Sequence, residues 1–211
     1  MMVRVAAHVI VAHGPPSLPV NPPRTDTMAM PNVARRYTVE EVLAFPDDGN
    51  RYELVRGELL VSPAPMPRHQ RVVQRLFLAL VDYLKPFGLG ETVYCVDADI
   101  TWGGDTLVQP DLFVATPEEL TARWDSVKTL LLAVEVLSPR SGRADRVLKR
   151  GAYQEHRVST YWIVDHEAGL VEVWRPEDVR PAVLTDALTW RVRPDAPEVR
   201  IELETLWSGL P

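Results

Sequence analysis

The sequence predicts an α/β fold in which a mixed central β-sheet carries helices on its faces. Short apolar runs rich in β-branched residues, typical of strands, are interspersed with segments whose apolar residues recur at helical spacing. Along the chain the order is helix, hairpin, helix, several strands, helix and strands. This order differs from the regular alternation of a doubly wound nucleotide-binding fold.

The composition suits one globular domain and narrows the functional classes. The chain has 211 residues, of which 46% are hydrophobic, enough for one domain with a full core. Its net charge of −6 gives no overall basic signal for binding nucleic acid, although a local basic patch can still bind it. The single cysteine, Cys95, excludes a disulfide framework and thiolate zinc sites, which indicates the reducing cytoplasm. No apolar run approaches the ~20 residues of a membrane span, so no membrane partner is expected.

The N-terminal region differs in composition from the rest of the chain. Residues 1–36 are rich in proline and are expected to form a disordered or loosely attached tail. A secretion signal is disfavoured because no clear small-residue cleavage site follows the short apolar run. The domain is therefore expected to span residues 37–211.

Local patterns within this domain predict its elements. A capping box at Thr38–Glu41 starts a short helix, and Gly57 turns a hairpin. Apolar residues at helical spacing indicate a longer helix in the region that follows. In chain order, the predictions are a helix at 38–45, hairpin strands at 52–56 and 58–62, a helix at 68–85, strands at 92–102 and 107–115, a short helix at 117–124, a strand at 130–137, a helix at 143–156, and strands at 161–165 and 170–174.

Two acids stand inside otherwise apolar predicted strands. Asp111 follows Pro110 in the strand at 107–115, and Glu135 lies in the strand at 130–137. An ionised carboxylate in such a strand costs several kcal/mol unless a cation or hydrogen bonds compensate it. If the two strands are neighbours, the carboxylates converge, and hard oxygen ligands of this kind suit Mg²⁺ or Mn²⁺.

Lys149 is the third candidate, because its helix follows the Glu135 strand and its ammonium could reach back to the same place. There it would orient a water or stabilise charge on a phosphate. Simpler interpretations remain open. Asp111 beside Pro110 fits a turn or edge residue, and Asp145 with Lys149 at i, i+4 fits a surface ion pair.

Six segments together resemble the Uma-two family of restriction endonucleases, within the PD-(D/E)XK nuclease superfamily, from about Tyr37 to the C-terminus. Any one of them is weak, but their order is specific. The segments are YELVRGELL at 52–60, SPAPMPRHQRVV at 62–73, QPDLFV at 109–114, VEVLSP at 134–139, ADRVLKR at 144–150 with Tyr153, and VSTYWIVD at 158–165.

The resemblance implies a restriction-endonuclease-like core and assigns the site. Pro110-Asp111 matches the superfamily's Pro-Asp, and Glu135 matches its second acid. Leu137 stands where the short motif has lysine, which implies that the lysine has moved to the following helix as Lys149. The resemblance also implies that the Val136 carbonyl is a further metal ligand.

The resemblance also suggests roles for two more residues, and each role has an alternative. Glu53 matches the family's early acid and is a fourth candidate catalytic residue, with Glu58 as the competing choice and a solvent-facing hairpin position as the simpler interpretation. His69 matches a recurrent histidine before the long helix, where contact with a phosphate and helix capping are equal alternatives.

The resulting functional hypothesis is a Mg²⁺- or Mn²⁺-dependent endonuclease acting on DNA in the cytoplasm. The alternative is an inactive nucleic-acid-binding or regulatory module with the same fold, and RNA or another phosphate ester would use the same site. A basic set is either a backbone-tracking surface or a solvated helix face: Arg140, Arg143, Arg146, Lys149, Arg150 and Arg157, with Arg68, Arg71 and Arg75 elsewhere. Superfamily members often dimerise, so a homodimer is also allowed.

Overall fold

Two β-sheets and a separate strand pair form the scaffold in a computed structural model, which describes residues 35–119, 123–139 and 141–210. The strands are β1 (Asn50–Val55), β2 (Glu58–Pro63), β3 (Val93–Tyr94), β4 (Ile100–Trp102), β5 (Thr106–Val108), β6 (Leu112–Ala115), β7 (Leu130–Val136), β8 (Tyr161–Asp165), β9 (Leu170–Trp174), β10 (Ala182–Leu184), β11 (Ala187–Trp190) and β12 (Val199–Glu202). The helices are α1 (Val39–Leu43), α2 (Pro67–Leu84), α3 (Arg150–Glu155) and α4 (Leu203–Trp207), and a π-helical segment, Ala144–Lys149, leads directly into α3.

The larger sheet is mixed and has the strand order β10-β9-β8-β7-β6-β3. Its central strands β7 and β8 are parallel, whereas the other neighbouring pairs are antiparallel. Both central strands are almost entirely buried, which explains their nearly continuous apolar sequence. Because parallel strands need a crossover, the chain between them forms the π-helical segment and α3.

Helices cover the two faces of this sheet. On one face, the buried residues Val72, Leu76 and Leu80 of α2 pack in the same cluster as Val134 and Val136 of β7. Side chains alternate across a strand, so Glu135 belongs to the opposite face. That face packs Ala133 and Leu137 with Ala152 and Tyr153 of α3. The antiparallel pair β11-β12 and α4 extend the α2 side of the core.

The smaller sheet has the order β2-β1-β5-β4. Its β1-β2 hairpin turns at Arg56 and Gly57, which both have positive φ, as a tight hairpin turn requires. Helix α1 begins with the predicted capping box at Thr38 and packs Val42 against Leu54 and Leu107. The short first helix and the hairpin are therefore confirmed.

Two predicted strands are wrong, because each is divided between the sheets. The prediction at 92–102 corresponds to β3 in the larger sheet and β4 in the smaller one, and the prediction at 107–115 corresponds to β5 and β6. Pro110 has no N–H with which to continue a ladder, so the chain leaves one sheet at 109–111 and enters the other. Asp111 consequently lies in the connection just before β6, not inside a strand.

The remaining predictions agree in position and differ in geometry. The predicted helix at 143–156 begins as the π-helical segment, and the predicted helix at 117–124 is replaced by 3₁₀ turns at Pro117–Glu119 and Trp124–Ser126. Residues 120–122, within that prediction, lie outside the described part of the chain. The predicted α/β class, a mixed sheet flanked by helices, is confirmed.

The predicted division at residue 36 stays a prediction, because residues 1–34 of the expected tail lie outside the described part of the chain. Within the described residues, no helix has the length and apolar character needed to cross a membrane.

Candidate active site

The Lys149 ammonium lies among three carboxylates. Its Nζ is 2.7 Å from Glu53 Oε2, 3.1 Å from Glu135 Oε1 and 3.5 Å from Asp145 Oδ1. All four residues are at least 96% buried. Asp145 and Lys149 are therefore a buried pair and not the surface ion pair that their i, i+4 spacing usually indicates.

Two parts of the chain that are distant in sequence bring these charges together. Glu53 comes from β1, Glu135 from β7, and Asp145 with Lys149 from the π-helical segment after β7. Each glutamate has a second hydrogen bond: the Gln109 N–H donates to Glu53 Oε1 at 2.8 Å, and the Tyr153 hydroxyl donates to Glu135 Oε1 at 2.8 Å. The carboxylates are thus held in defined positions.

Asp111 is fixed beside this group by three donors. Arg51 Nη1 donates to Oδ1 at 2.8 Å, while His69 Nε2 and the Val136 N–H contact Oδ2 at 3.0 and 2.8 Å. Because Val136 follows Glu135, the last bond ties Asp111 to the end of β7. Asp111 and Glu135 therefore occupy the same region, although β6 does not carry Asp111 as predicted.

Of the two alternatives for His69, helix capping is wrong, and contact with a phosphate stays a prediction. The N-cap of α2 is Met66, without a side-chain cap hydrogen bond, so His69 does not cap the helix. Its buried ring contacts Asp111 instead.

Of Glu53 and Glu58, the structure brings Glu53 into the cluster of charges. Glu53 is 2% exposed and contacts Lys149, whereas Glu58 begins β2 as an exposed residue. Leu137, at the place of the superfamily lysine, packs in the apolar core with Tyr153. The ammonium beside Glu135 comes from Lys149 instead, as the resemblance implies.

A cleft of about 290 Å³ opens onto these residues. Its walls include the proline-rich segment after β2, Ser62–Met66, and the turn after β7 through Ser138, Pro139 and Ser141. The chain around Ser138 and Ser141 therefore borders the cleft, and Arg140 lies outside the described residues.

The cleft carries an excess of negative charge. Glu53, Asp111, Glu135 and Asp145 outnumber the permanent cations that contact them, Lys149 and Arg51, by two. Burial raises the pKa of Glu135 well above its usual value, and although Lys149 lowers it, the charges of the other three acids raise it further. Burial and the neighbouring acids therefore disfavour the ionised form of Glu135.

The pKa of Asp111 shifts in the opposite direction. Burial raises it, but the hydrogen bond and charge of His69 and the charges of Arg51 and Lys149 outweigh burial and lower the pKa to about 2. Burial also lowers the pKa of Lys149, yet the charges of Glu135, Glu53 and Asp145 outweigh it and raise that pKa well above its usual value. Asp111 and Lys149 are therefore both charged at neutral pH.

Comparison with known protein families shows to which family the chain belongs. The family model for Uma-two, described as "Putative restriction endonuclease", matches residues 39–204. The chain belongs to the Uma-two family. A search of curated proteins finds no match.

The Uma-two chain is also similar in fold to a solved structure from Anabaena variabilis, described as "a putative nuclease belonging to DUF820". The TM-score is 0.67 at 19% sequence identity, and the match covers 83% of this chain and 99% of that one. At this identity the likeness shows the fold alone, and the fold is restriction-endonuclease-like.

Most residues of the basic set in this Uma-two chain contact other residues of the same chain. Arg68, Arg146 and Arg157 form ion pairs, and Arg75 donates to the carbonyls of Thr205 and Leu206. Arg150 stacks on Trp174, and Lys149 is buried in the site. The pairs of Arg68 and Arg157 are exposed, so a backbone-tracking surface and a solvated helix face both stay predictions for this set.

Sequence reasoning missed Arg51 and left Asp145 undecided. Arg51 lies two residues before Glu53, so both point to the same face of β1, but an arginine in a hairpin strand usually faces solvent. Its partner Asp111 lies 60 residues further along the chain, and no local pattern reveals that contact. The shared strand face with Glu53 was the one available signal.

Replacing Asp111 with asparagine is expected to remove a pH-dependent part of the folding free energy in metal-free buffer. The pKa of Asp111 is lowered from 3.8 to about 2 in the folded chain, so its stabilisation is complete above pH 3.8 and disappears as the pH falls through about 2. The difference in unfolding free energy between wild type and Asp111→Asn should shrink by about 2 kcal/mol over that range. Urea titrations from pH 5 downward measure it, and a constant difference would contradict the assignment.

Proposed function

We propose that this chain is a metal-dependent endonuclease that hydrolyses phosphodiester bonds of DNA in the 290 Å³ cleft. The observation that carries the proposal is the buried Lys149 ammonium within 3.1 Å of both Glu53 and Glu135, next to an ionised Asp111. Family membership supports the reaction class, because the matching family model carries the description of a restriction endonuclease.

The donor set fits a divalent cation. Carboxylate and carbonyl oxygens are the hard ligands that Mg²⁺ and Mn²⁺ prefer, and the excess negative charge around Glu135 calls for a cation. Asp111, Glu135 and the Val136 carbonyl would hold the ion, with Glu53 beside them. When bound, the ion lowers the pKa of a coordinated water and offsets charge on the scissile phosphate.

The chain's own residues would complete the reaction. Lys149, held by Glu53 and Glu135, donates hydrogen bonds to the attacking water or to the phosphate oxygens on which charge develops. Glu53 keeps the ammonium in place, and its second oxygen is fixed by the Gln109 N–H. His69 and the Val136 N–H hold Asp111 in the ionised form. Catalysis then depends on positions that already exist in the folded chain.

Cleavage of supercoiled plasmid with Mg²⁺ or Mn²⁺ tests the proposal. Wild type should nick or linearise the plasmid, and Asp111→Asn should lower the rate at least about 100-fold while the chain stays folded. Glu58→Gln is the matched control, since this exposed acid lies outside the cleft. Equal cleavage by all three proteins would indicate a contaminating nuclease and contradict the site.

The same preparation separates the proposed nuclease from an inactive nucleic-acid-binding module. Titration calorimetry with MnCl₂ should show binding by wild type and weaker binding by Asp111→Asn. A chain that binds DNA but neither binds Mn²⁺ nor cleaves would be the binding module. Parallel assays on single-stranded DNA and RNA then define the substrate class.

A further inference from the structure

Arg51 stands between two cavities and connects them. Its side chain lines the 290 Å³ cleft and also a neighbouring cavity of about 470 Å³, and Ala64 and Pro65 are likewise shared by both. Its side chain is 20% exposed, compared with 5% for Lys149. Arg51 is therefore the accessible permanent cation among the described residues that line the cleft.

The guanidinium is currently held by two acids of different character. Nη1 donates to Asp111 Oδ1 at 2.8 Å and to the Gln109 carbonyl at 3.3 Å, and Nη2 donates to Asp97 Oδ1 at 2.9 Å. Asp111 is 5% exposed, whereas Asp97 is 81% exposed. The contact with Asp97 is a surface ion pair, and such pairs hold their partners weakly.

We propose that Arg51 is a phosphate-binding residue, which compensates Asp111 in the metal-free chain and turns to the nucleic-acid backbone once a metal ion occupies the site. The inference rests on the proposed function and adds a residue that contacts substrate. The ligand class is the phosphodiester group, whose two oxygens match the planar fork of arginine.

Charge balance explains this exchange, in which Arg51 leaves Asp111 and binds a phosphate. Without metal, Asp111 depends on Arg51 as one of its compensating charges. A divalent ion held by Asp111 would supply that compensation instead, so that Arg51 would no longer be needed there. The arriving phosphodiester then brings a new negative charge into the cleft, close to the cation that is no longer needed at Asp111.

The exchange predicts a metal affinity that rises when Arg51 is removed. Arg51→Met should bind Mn²⁺ roughly tenfold more tightly than wild type, because a competing cation at Asp111 is gone. At saturating Mn²⁺, the same variant should cleave DNA about 100-fold more slowly, because a phosphate donor is gone. Arg51→Lys keeps the charge without the fork, so its Mn²⁺ affinity should stay near wild type while cleavage falls roughly tenfold.

Titration calorimetry with MnCl₂ on the full chain and single-turnover cleavage of a short duplex measure the two effects. Arg200→Met is the matched control: it removes an exposed arginine paired with Glu202 and should change neither quantity. A purely structural Arg51 would make the Mn²⁺ affinity of Arg51→Met lower or unchanged, and either result overturns the inference.

The test also separates this inference from the proposed function. If wild type and Arg51→Met cleave equally fast, the inference fails and the nuclease stands. If wild type binds Mn²⁺ but cleaves no DNA, the proposed nuclease fails, and the ratio of the two Mn²⁺ affinities still supports or overturns the exchange. If Arg51→Met does not fold, Arg51→Lys, which keeps the charge, is used for the cleavage measurement in its place.

Discussion

Replacing Lys149 with methionine is expected to abolish DNA cleavage and to lower the free energy of unfolding by about 3–5 kcal/mol. The substitution leaves Glu53, Glu135 and Asp145 buried without the ammonium that lies 2.7, 3.1 and 3.5 Å from them. Removing one partner of a buried ion pair is costly because the remaining charge is no longer compensated. Urea unfolding in EDTA measures the stability, and plasmid cleavage with Mn²⁺ measures the activity.

The matched control is Lys85→Met at the exposed C-terminal end of α2, which should leave both quantities near wild type. A folded Lys149→Met chain that keeps wild-type stability would contradict the packing of Lys149 among the acids. A stable variant that also retains cleavage would remove Lys149 from the mechanism.

The Glu135→Gln substitution is expected to have the opposite effect on stability while also abolishing cleavage. Burial and three neighbouring acids raise the pKa of Glu135 well above 4.5, so the ionised form is disfavoured in the folded chain. Its neutral isostere removes that penalty and should raise the unfolding free energy at neutral pH in EDTA. The loss of a metal ligand should lower the cleavage rate at least about 100-fold.

The sign of the pH dependence follows from linkage. A carboxyl with a raised pKa binds its proton more tightly in the folded than in the unfolded chain, so the folded state is favoured below pH 4.5 and loses that advantage as the pH rises towards the folded-state pKa. Wild type should therefore lose stability relative to Glu135→Gln as the pH increases above 4.5. Glu58→Gln, on the exposed start of β2, should follow wild type. A Glu135→Gln variant less stable than wild type at pH 7 would contradict the excess of negative charge.

Local sequence patterns predicted a helix or strand correctly where the same face, or both faces, of the segment are buried along its whole length. Helix α2 follows its apolar stripe, and β7 follows its continuous apolar run. The patterns failed where the chain changes sheet. The segment 92–102 alternates well enough for one strand, and nothing in it indicates that its two halves pair with different partners. Pro110 marks one of these breaks, but a proline is also compatible with an edge strand.

The acids of the candidate site were accessible to prediction because buried charge is chemically unusual. Glu135 interrupts an apolar run, Lys149 lies on the helix predicted after it, and the family resemblance supplied Glu53. The contacts that complete the site were not accessible, because they depend on the packing of distant segments: Arg51 with Asp111, and His69 with Asp111. The π-helical geometry that carries Asp145 and Lys149 is likewise invisible in the apolar spacing, since the α-helical pattern describes that segment equally well.

Diffraction from crystals of the wild-type chain soaked in MnCl₂ tests the central claim most directly, because the anomalous signal identifies the ion. The proposed site predicts a strong anomalous peak about 2.0–2.3 Å from carboxylate oxygens of Asp111 and Glu135 and from the Val136 carbonyl. A peak at other acids with none at Asp111, or a map without any peak in the cleft, would contradict a metal-dependent nuclease built on these residues.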